Sequence, residues 1–562
     1  MLGIRKIPPL LLLSFPLLCM AGDVHQPVSA SQGMVVSEQK IASQAGVTIL
    51  RAGGNAIDAA VAVGYALAVV NPCCGNIGGG GFMVIRLADG RNTVINFREK
   101  APLRATQNMF LDKFGNVVPG STTNGYLAVA VPGTVAGLEL ALTRYGTMTR
   151  RQVMEPAILL AENGYRVTAF DARWFQAYAS TFRTQPNVAA IFLKQGKPYQ
   201  TGDLLIQQDL AQTLKLIAEN GAHEFYKGSI ARHIVESSNR HGGILTLEDF
   251  STYQAEELSP LTCRYRGYDV LSVPPPSSGG VTLCEMLGIL QHFSLSNEGF
   301  RSAQSMQNII EAMRYGFNDR NTFLGDPDFV KNPLEQMLSR ARMESLADKI
   351  KATRLIQPEN IMIDFHENTD TTHYSIVDRF GNAVAVTYTL NGFFGAKVIA
   401  DHTGFFLNDE MDDFTVKPGF ANKFELVQSS ANAISPGKRP LSSMTPVIVM
   451  KNGRVFLVLG SPGGPRIITA VLLTLINVID YGMNIRAAVD APRFHYQGTP
   501  DIVDIEPLTL SFLTSKALEY RGYHITTQSP WAAVEAVLID KANGMRYGAN
   551  DDRRPDGAAL GY

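Results

Sequence analysis

The run AIDAAVAVGYALAVV at residues 56–70 constrains this chain more than any other stretch. It has the length of a helix, Asn55 stands where a residue can cap one, and its side chains are apolar on nearly every side. A helix with no polar face must be buried. Ahead of it, Ser37 can cap another helix that runs from Glu38 to about Arg51 and stops at Gly53-Gly54. After it come Gly78 to Gly81, the alternating run FMVIRL, the turn residues Asp89-Gly90 and a second strand ending near Arg98. This predicts a hairpin packed beside two helices. With 562 residues, 45% hydrophobic and 18% charged, the chain can build the large core that such a buried helix needs.

From about Pro132 to Asn360 the pattern is mainly helical, with a strand at YDVLSV before PPPSSGG. Residues 352 to 370 lose periodicity and collect Asp, Glu and Asn, which reads as an exposed loop. Strands return after Thr371. TTHYSIVD, the turn Arg379-Phe380-Gly381 and NAVAVTYTL form one hairpin; TPVIVM, Asn452-Gly453 and RVFLVLG form another with a tight turn. SPGGPR and an apolar helix from about Ile467 to Tyr481 follow. Helices and hairpins at both ends imply stacked antiparallel sheets with helices outside. If Gly381 takes the left-handed position of a three-residue loop, Asp378 faces Asn382, and the same register sets Thr371 opposite Thr389. Directly paired side chains have Cβ atoms about 4.5 to 5.5 Å apart, within reach of a hydroxyl-to-hydroxyl hydrogen bond.

Lys plus Arg is 50 against 51 for Asp plus Glu, a net charge of −1, and no long basic tract occurs, so nucleic acid is not an expected partner. Arg5 and Lys6, the apolar run Ile7 to Leu18 and the triplet Cys19-Met20-Ala21 predict a signal peptide over 1–21 and a periplasmic or secreted protein. That run, broken by Pro8, Pro9 and Pro16, falls short of the roughly 20 residues that span a bilayer, so no membrane anchor is expected once it is removed. Leu17 and Leu18 stand where small residues would precede a lipid-modified Cys19. Cys73, Cys74, Cys263 and Cys284 show no zinc spacing and read as buried small hydrophobes, with one disulfide permitted.

A threonine hydroxyl is a poor nucleophile unless a base sits beside it, and one recurring base is the threonine's own free α-amino group. With a pKa of roughly 7.7 to 8.0, that amine is substantially neutral near working pH. Thr371 is internal, so this chemistry requires a cut between Asp370 and Thr371. A flexible loop entering a rigid strand suits self-cleavage, in which the hydroxyl attacks the preceding carbonyl and the resulting ester is hydrolysed. From the two threonines alone, a β-branched pair that begins a strand is the stronger reading.

TTHYSIVD, YTLN at 388–391, MDDF at 411–414, KRPLSSM at 438–444, GSPGG at 460–464 and APRFH at 491–495 resemble, in order, the small-subunit signatures of the γ-glutamyltranspeptidases, members of the N-terminal-nucleophile hydrolases. AGGNAIDAAVA at 52–62, NIGGGGFM at 76–83, FREKAP at 97–102 and VPGTVAG at 131–137 resemble the large subunit. The resemblance implies an α+β fold, a four-layer αββα sandwich of stacked antiparallel sheets, and two chains from one precursor: a large subunit 22–370 and a small catalytic subunit 371–562. It implies that Thr371 is both cleavage residue and nucleophile, oriented by Thr389, with the Gly463 and Gly464 N–H groups serving the oxyanion. Arg98, Ser442 and Ser443 would hold the substrate's α-carboxylate, and Asn391, Glu410 and Asp413 its α-amino group.

Some features depart from that pattern or resemble others. Phe424 stands where some members have a lid-latching tyrosine, in a lid segment of about 418 to 440; DDRR at 551–554 replaces the more usual DPR and reads as a surface turn. His366-Glu367 lacks the second histidine of HExxH, so a zinc protease is not expected. Gly78 to Gly81 lacks the lysine of a phosphate loop and reads as a close helix-to-strand crossing.

The expected activity is transfer of the γ-glutamyl group of glutathione and other γ-glutamyl amides to water, or to amino acid or dipeptide acceptors, through an ester on Thr371. No metal or organic cofactor is implied. The alternatives are a glutaryl acylase of the cephalosporin type, whose substrates lack the α-amino group, and an uncleaved exported binding pseudoenzyme.

Overall fold

The computed structural model describes residues 26–352 and 371–562. The expected signal peptide, His366-Glu367, Asp370 and nearly all of the expected loop lie outside the described residues. Two seven-stranded sheets carry the fold. One runs, in spatial order, Val28–Ala30, Arg546–Ala549, Glu535–Ile539, Arg454–Gly460, Val447–Lys451, Tyr268–Ser272 and Leu261–Tyr265. The other runs Ala558–Gly561, Met34–Ser37, Thr372–Val377, Ala383–Thr389, Gly80–Arg86, Asn92–Asn96 and Glu256–Leu258. Every pairing in both is antiparallel.

Period-two alternation turns these sheets into layers, because successive side chains leave opposite faces of a strand. Val377, Ala383, Ala385 and Val458 point between the sheets, where they meet Leu271, Ile448 and Val537 in one core. Their neighbours Tyr374, Ile376, Val384, Val386 and Tyr388 point the other way, into a second core shared with the helix Ala56–Val70. Leu457 and Leu459 turn outward into a third, against the helices Gly279–Leu290, Ala303–Phe323 and Arg466–Ile479. The result is helix, sheet, sheet, helix. All 15 residues of Ala56–Val70 are buried, as its sequence demands, and Asn55 caps it in a reciprocal box with Asp58.

The hairpin register is as expected. Thr372 faces Tyr388 and Val377 faces Ala383, the Asp378 N–H donates to the Asn382 carbonyl at 3.1 Å, and Gly381 has φ of 95°. Elsewhere the structure corrects the sequence reading. Ser37 caps no helix; it ends a strand, and the helix begins at Lys40 behind Gln39, which makes no side-chain cap bond. The glycine run serves strand and loop contacts instead of a helix crossing: a Cβ on Gly79 would lie 1.9 Å from the Thr389 carbonyl oxygen, and one on Gly78 2.3 Å from that of Phe406. The cysteines form two bridges, Cys263–Cys284 and the adjacent pair Cys73–Cys74. DDRR is not a surface turn. Asp551 is 0% exposed and Arg554 5%, in an ion network with Arg493, Arg553 and Glu38.

Candidate active site

At one end of the sandwich, the start of the strand Thr372–Val377 meets the turn that follows Arg454–Gly460. Thr371 sits there, 4% exposed, with its hydroxyl 3.2 Å from that of Thr389. The Thr389 oxygen also accepts the Asn391 N–H at 2.9 Å. A hydroxyl has one proton and two lone pairs, so with the Asn391 N–H on one lone pair the Thr389 hydroxyl can donate to Thr371 or accept from it. Either way the contact orients the Thr371 hydroxyl. Asn391 holds a left-handed backbone, φ 74°, and its side-chain N–H donates to the Asp409 carbonyl at 3.0 Å, which leaves its amide oxygen for the pocket.

Gly463 and Gly464 follow with φ of 124° and 52°, conformations that a side chain would strain. Neither N–H has an acceptor among the described residues. Two unspent donors at the N-terminus of the helix Arg466–Ile479 are suited to an oxyanion. Phe424 lies against Gly464, whose added Cβ would meet the ring at 2.7 Å. In place of a tyrosine hydroxyl, the Phe424 carbonyl is held by the Gln497 side chain at 3.1 Å, so the lid segment is tied down through backbone.

The pocket has about 310 Å³ of empty space, and Thr371, Thr389, Gly464, Arg98, Asn391, Glu410, Asp413, Ser442 and Ser443 all line it. Gly463 is not among the lining residues. Arg98, 0% exposed, pairs with Glu410 and Asp413, lies 3.3 Å from Glu99, and donates through Nε to the Pro440 carbonyl at 3.1 Å. Burial alone would lower the Arg98 pKa, but the three facing carboxylates hold it above its usual range. Burial also pushes Glu410 well above the ordinary carboxylate value, against the pull of Arg98. Its second oxygen, Oε2, has no hydrogen-bond partner among the described residues. The Ser442 oxygen accepts the Met444 N–H at 3.0 Å, so its proton too is available to a ligand.

Sequence reasoning missed Arg320, which also lines the pocket. A signal existed: on the helix Ala303–Phe323, Met306, Ile310, Met313 and Phe317 form a buried stripe, and Arg320 falls on its next position. A charge on an apolar stripe requires a polar destination.

The family model described as Gamma-glutamyltranspeptidase matches residues 42–562. The glutathione hydrolase proenzyme of Pseudomonas sp. (strain A14) is 52% identical, over 98% of this chain and 98% of its own. That of Escherichia coli (strain K12) is 48% identical, over 96% and 93%. Among solved structures, cephalosporin acylase from Bacillus halodurans matches with a TM-score of 0.85 and 28% identity, covering 98% of this chain and 99% of its own. With a profile over nearly the whole length and relatives about half identical from end to end, the chain belongs to the gamma-glutamyltranspeptidase family.

Proposed function

We propose that this protein is an exported γ-glutamyltransferase and glutathione hydrolase that matures by self-cleavage between Asp370 and Thr371. Two hydroxyls 3.2 Å apart at one end of a pocket whose other end holds Arg98 beside two acids carry this reading. In the mature form the Thr371 amine takes the proton from Oγ1 as that oxygen attacks the γ-carbonyl carbon. The Gly463 and Gly464 N–H groups stabilise the oxyanion. Collapse of the tetrahedral intermediate breaks the C–N bond, and the amine's added proton passes to the departing nitrogen. Water, or the amine of an amino acid or dipeptide, then attacks the γ-glutamyl ester with the Thr371 amine as base; the ester C–O bond breaks, and the proton passes to the departing Oγ1. No helix among the described residues is long and apolar enough to cross a membrane.

Specificity comes from matching a zwitterionic head. The α-carboxylate meets Arg98, Ser442 and Ser443; the α-ammonium meets Asn391, Asp413 and the unpartnered Glu410 Oε2. Each charge-assisted hydrogen bond contributes roughly 1.5 to 3 kcal/mol. The test is kcat/KM on a γ-glutamyl anilide against a glutaryl anilide, which lacks only the α-amino group. The wild type should prefer the first by at least about tenfold, on about 1.4 kcal/mol per decade. Equal rates would overturn the γ-glutamyl assignment in favour of a glutaryl acylase.

A further inference from the structure

Two guanidinium groups line the pocket, and their surroundings differ. Arg98 faces Glu410, Asp413 and Glu99. Arg320 is 1% exposed, yet all its hydrogen-bond acceptors are neutral: Ser278 Oγ at 3.1 Å from Nε, Asn321 Oδ1 at 2.8 Å and Gln428 Oε1 at 3.0 Å from Nη1, and Ser443 Oγ at 3.1 Å from Nη2. No carboxylate lies within ion-pairing distance of it among the described residues. A buried cation with no carboxylate in direct contact is costly to fold around, and a ligand anion in the pocket would offset that cost. Burial, with Arg98 acting in the same sense and Asp413 opposing from beyond contact distance, lowers Arg320 to about 10, so it is charged at neutral pH.

The geometry points to Arg320 as the positioning residue that makes Ser443 a donor to the substrate's α-carboxylate and leaves that carboxylate a second cation to neutralise. This rests on the zwitterion reading of the pocket. Because Arg320 Nη2 donates to the Ser443 oxygen, the single Ser443 proton is directed elsewhere, and the pocket is where an anion can accept it. Arg320 fixes the neighbouring residue as well. Its Nε donates to Ser278 Oγ, which itself donates to the Ser442 carbonyl at 2.7 Å. One planar group thus holds both serines of the carboxylate end in register, which a lysine ammonium cannot do from a single point.

The test compares a γ-glutamyl anilide with a 4-aminobutanoyl anilide, which keeps the amine and lacks the α-carboxylate. In Arg320→Lys the ratio of their kcat/KM values should fall at least fivefold, through a higher KM for the γ-glutamyl substrate, with kcat within twofold. Ser443→Ala should lower the same ratio, and the double variant should lose little more than either single one. Equal losses on both anilides, or fully additive losses in the double variant, would reduce Arg320 to a merely structural role. If Arg320→Lys does not mature, Ser278→Ala removes the Nε acceptor together with the hydroxyl that holds the Ser442 carbonyl; a smaller fall in the ratio is expected, and an unchanged ratio overturns the proposal. A wild type that does not distinguish the two anilides would overturn the carboxylate reading itself, whereas a discriminating wild type with an unaltered Arg320→Lys ratio removes only the part given to Arg320.

Discussion

On the proposed mechanism Thr389 orients Thr371 by directing its hydroxyl proton across the 3.2 Å contact, while its oxygen is held by the Asn391 N–H. Thr389→Val keeps the shape and removes that proton, so self-cleavage and turnover should both slow by about tenfold or more, whereas Thr389→Ser should retain most of both. Equal rates for the two variants on a gel-based processing assay would remove the orienting role. Asp413 offers a second residue-scale experiment. Asp413→Asn keeps its size and lacks its charge, so it should lose most of the preference for γ-glutamyl over glutaryl anilide, while Arg98→Lys should weaken both substrates because both carry a carboxylate there. Thr389 was legible before the fold was known because a three-residue turn and a period of two fix which side chains face each other. Arg320 was legible only in part: its place on the buried stripe of a helix calls for a polar destination, but carries no information about which residues elsewhere in the chain will supply its acceptors. The role proposed for the glycine pair comes only from family likeness; alone, SPGG reads as a packing turn.

The strand that follows Thr371 is anchored by groups from distant parts of the chain. The His373 N–H donates to Glu38 Oε1 at 3.1 Å, and Glu38 in turn lies 3.3 Å from Arg554. No local pattern in DDRR foretold this, because Arg554 reaches Glu38 near the opposite terminus and Asp551 meets Arg493 and the Val534 N–H, all outside the motif. Ser37 was misread for a similar reason: pairing with Tyr374 claims it for a sheet. Asn55 was read correctly because its cap is closed by Asp58, three residues away. The His373 ring, on the same strand, sits between Thr387 and Ser375, and burial lowers its pKa from 6.5 to about 3. The unfolded chain therefore takes up this proton near pH 6.5 and the native one does not. The stability from this depressed pKa is present above 6.5 and is lost as pH falls toward 3, with a slope of up to about 1.4 kcal/mol per pH unit. His373→Gln, which retains hydrogen-bonding capacity without titrating, should flatten the fall in denaturation midpoint over that window. An unchanged pH slope would place the acid sensitivity elsewhere.

At the scale of the molecule, the proposed cut divides the sequence but not the fold. In the sheet that holds Thr372–Val377 and Ala383–Thr389, the former pairs with Met34–Ser37 and the latter with Gly80–Arg86; Met34–Ser37 pairs in turn with Ala558–Gly561. The other sheet alternates likewise, with Val28–Ala30 on Arg546–Ala549 at one edge and Tyr268–Ser272 on Val447–Lys451 toward the other. Chains 22–370 and 371–562 would therefore each leave both sheets with unpaired central strands, and neither can retain the inter-sheet core alone. Two expectations follow for the purified protein. Under denaturing conditions it should resolve into two chains, the smaller beginning TTHYS, and Thr371→Ala should remain one chain because no hydroxyl is present to attack the Asp370 carbonyl. Under native conditions the cleaved chains should elute together and dissociate only where the sheets unfold, so that loss of secondary structure and separation of the chains share one midpoint. N-terminal sequencing and size-exclusion chromatography across a urea series measure both. An active single chain would exclude the self-cleavage mechanism, and folded subunits that separate below the unfolding midpoint would contradict a core held jointly by both chains.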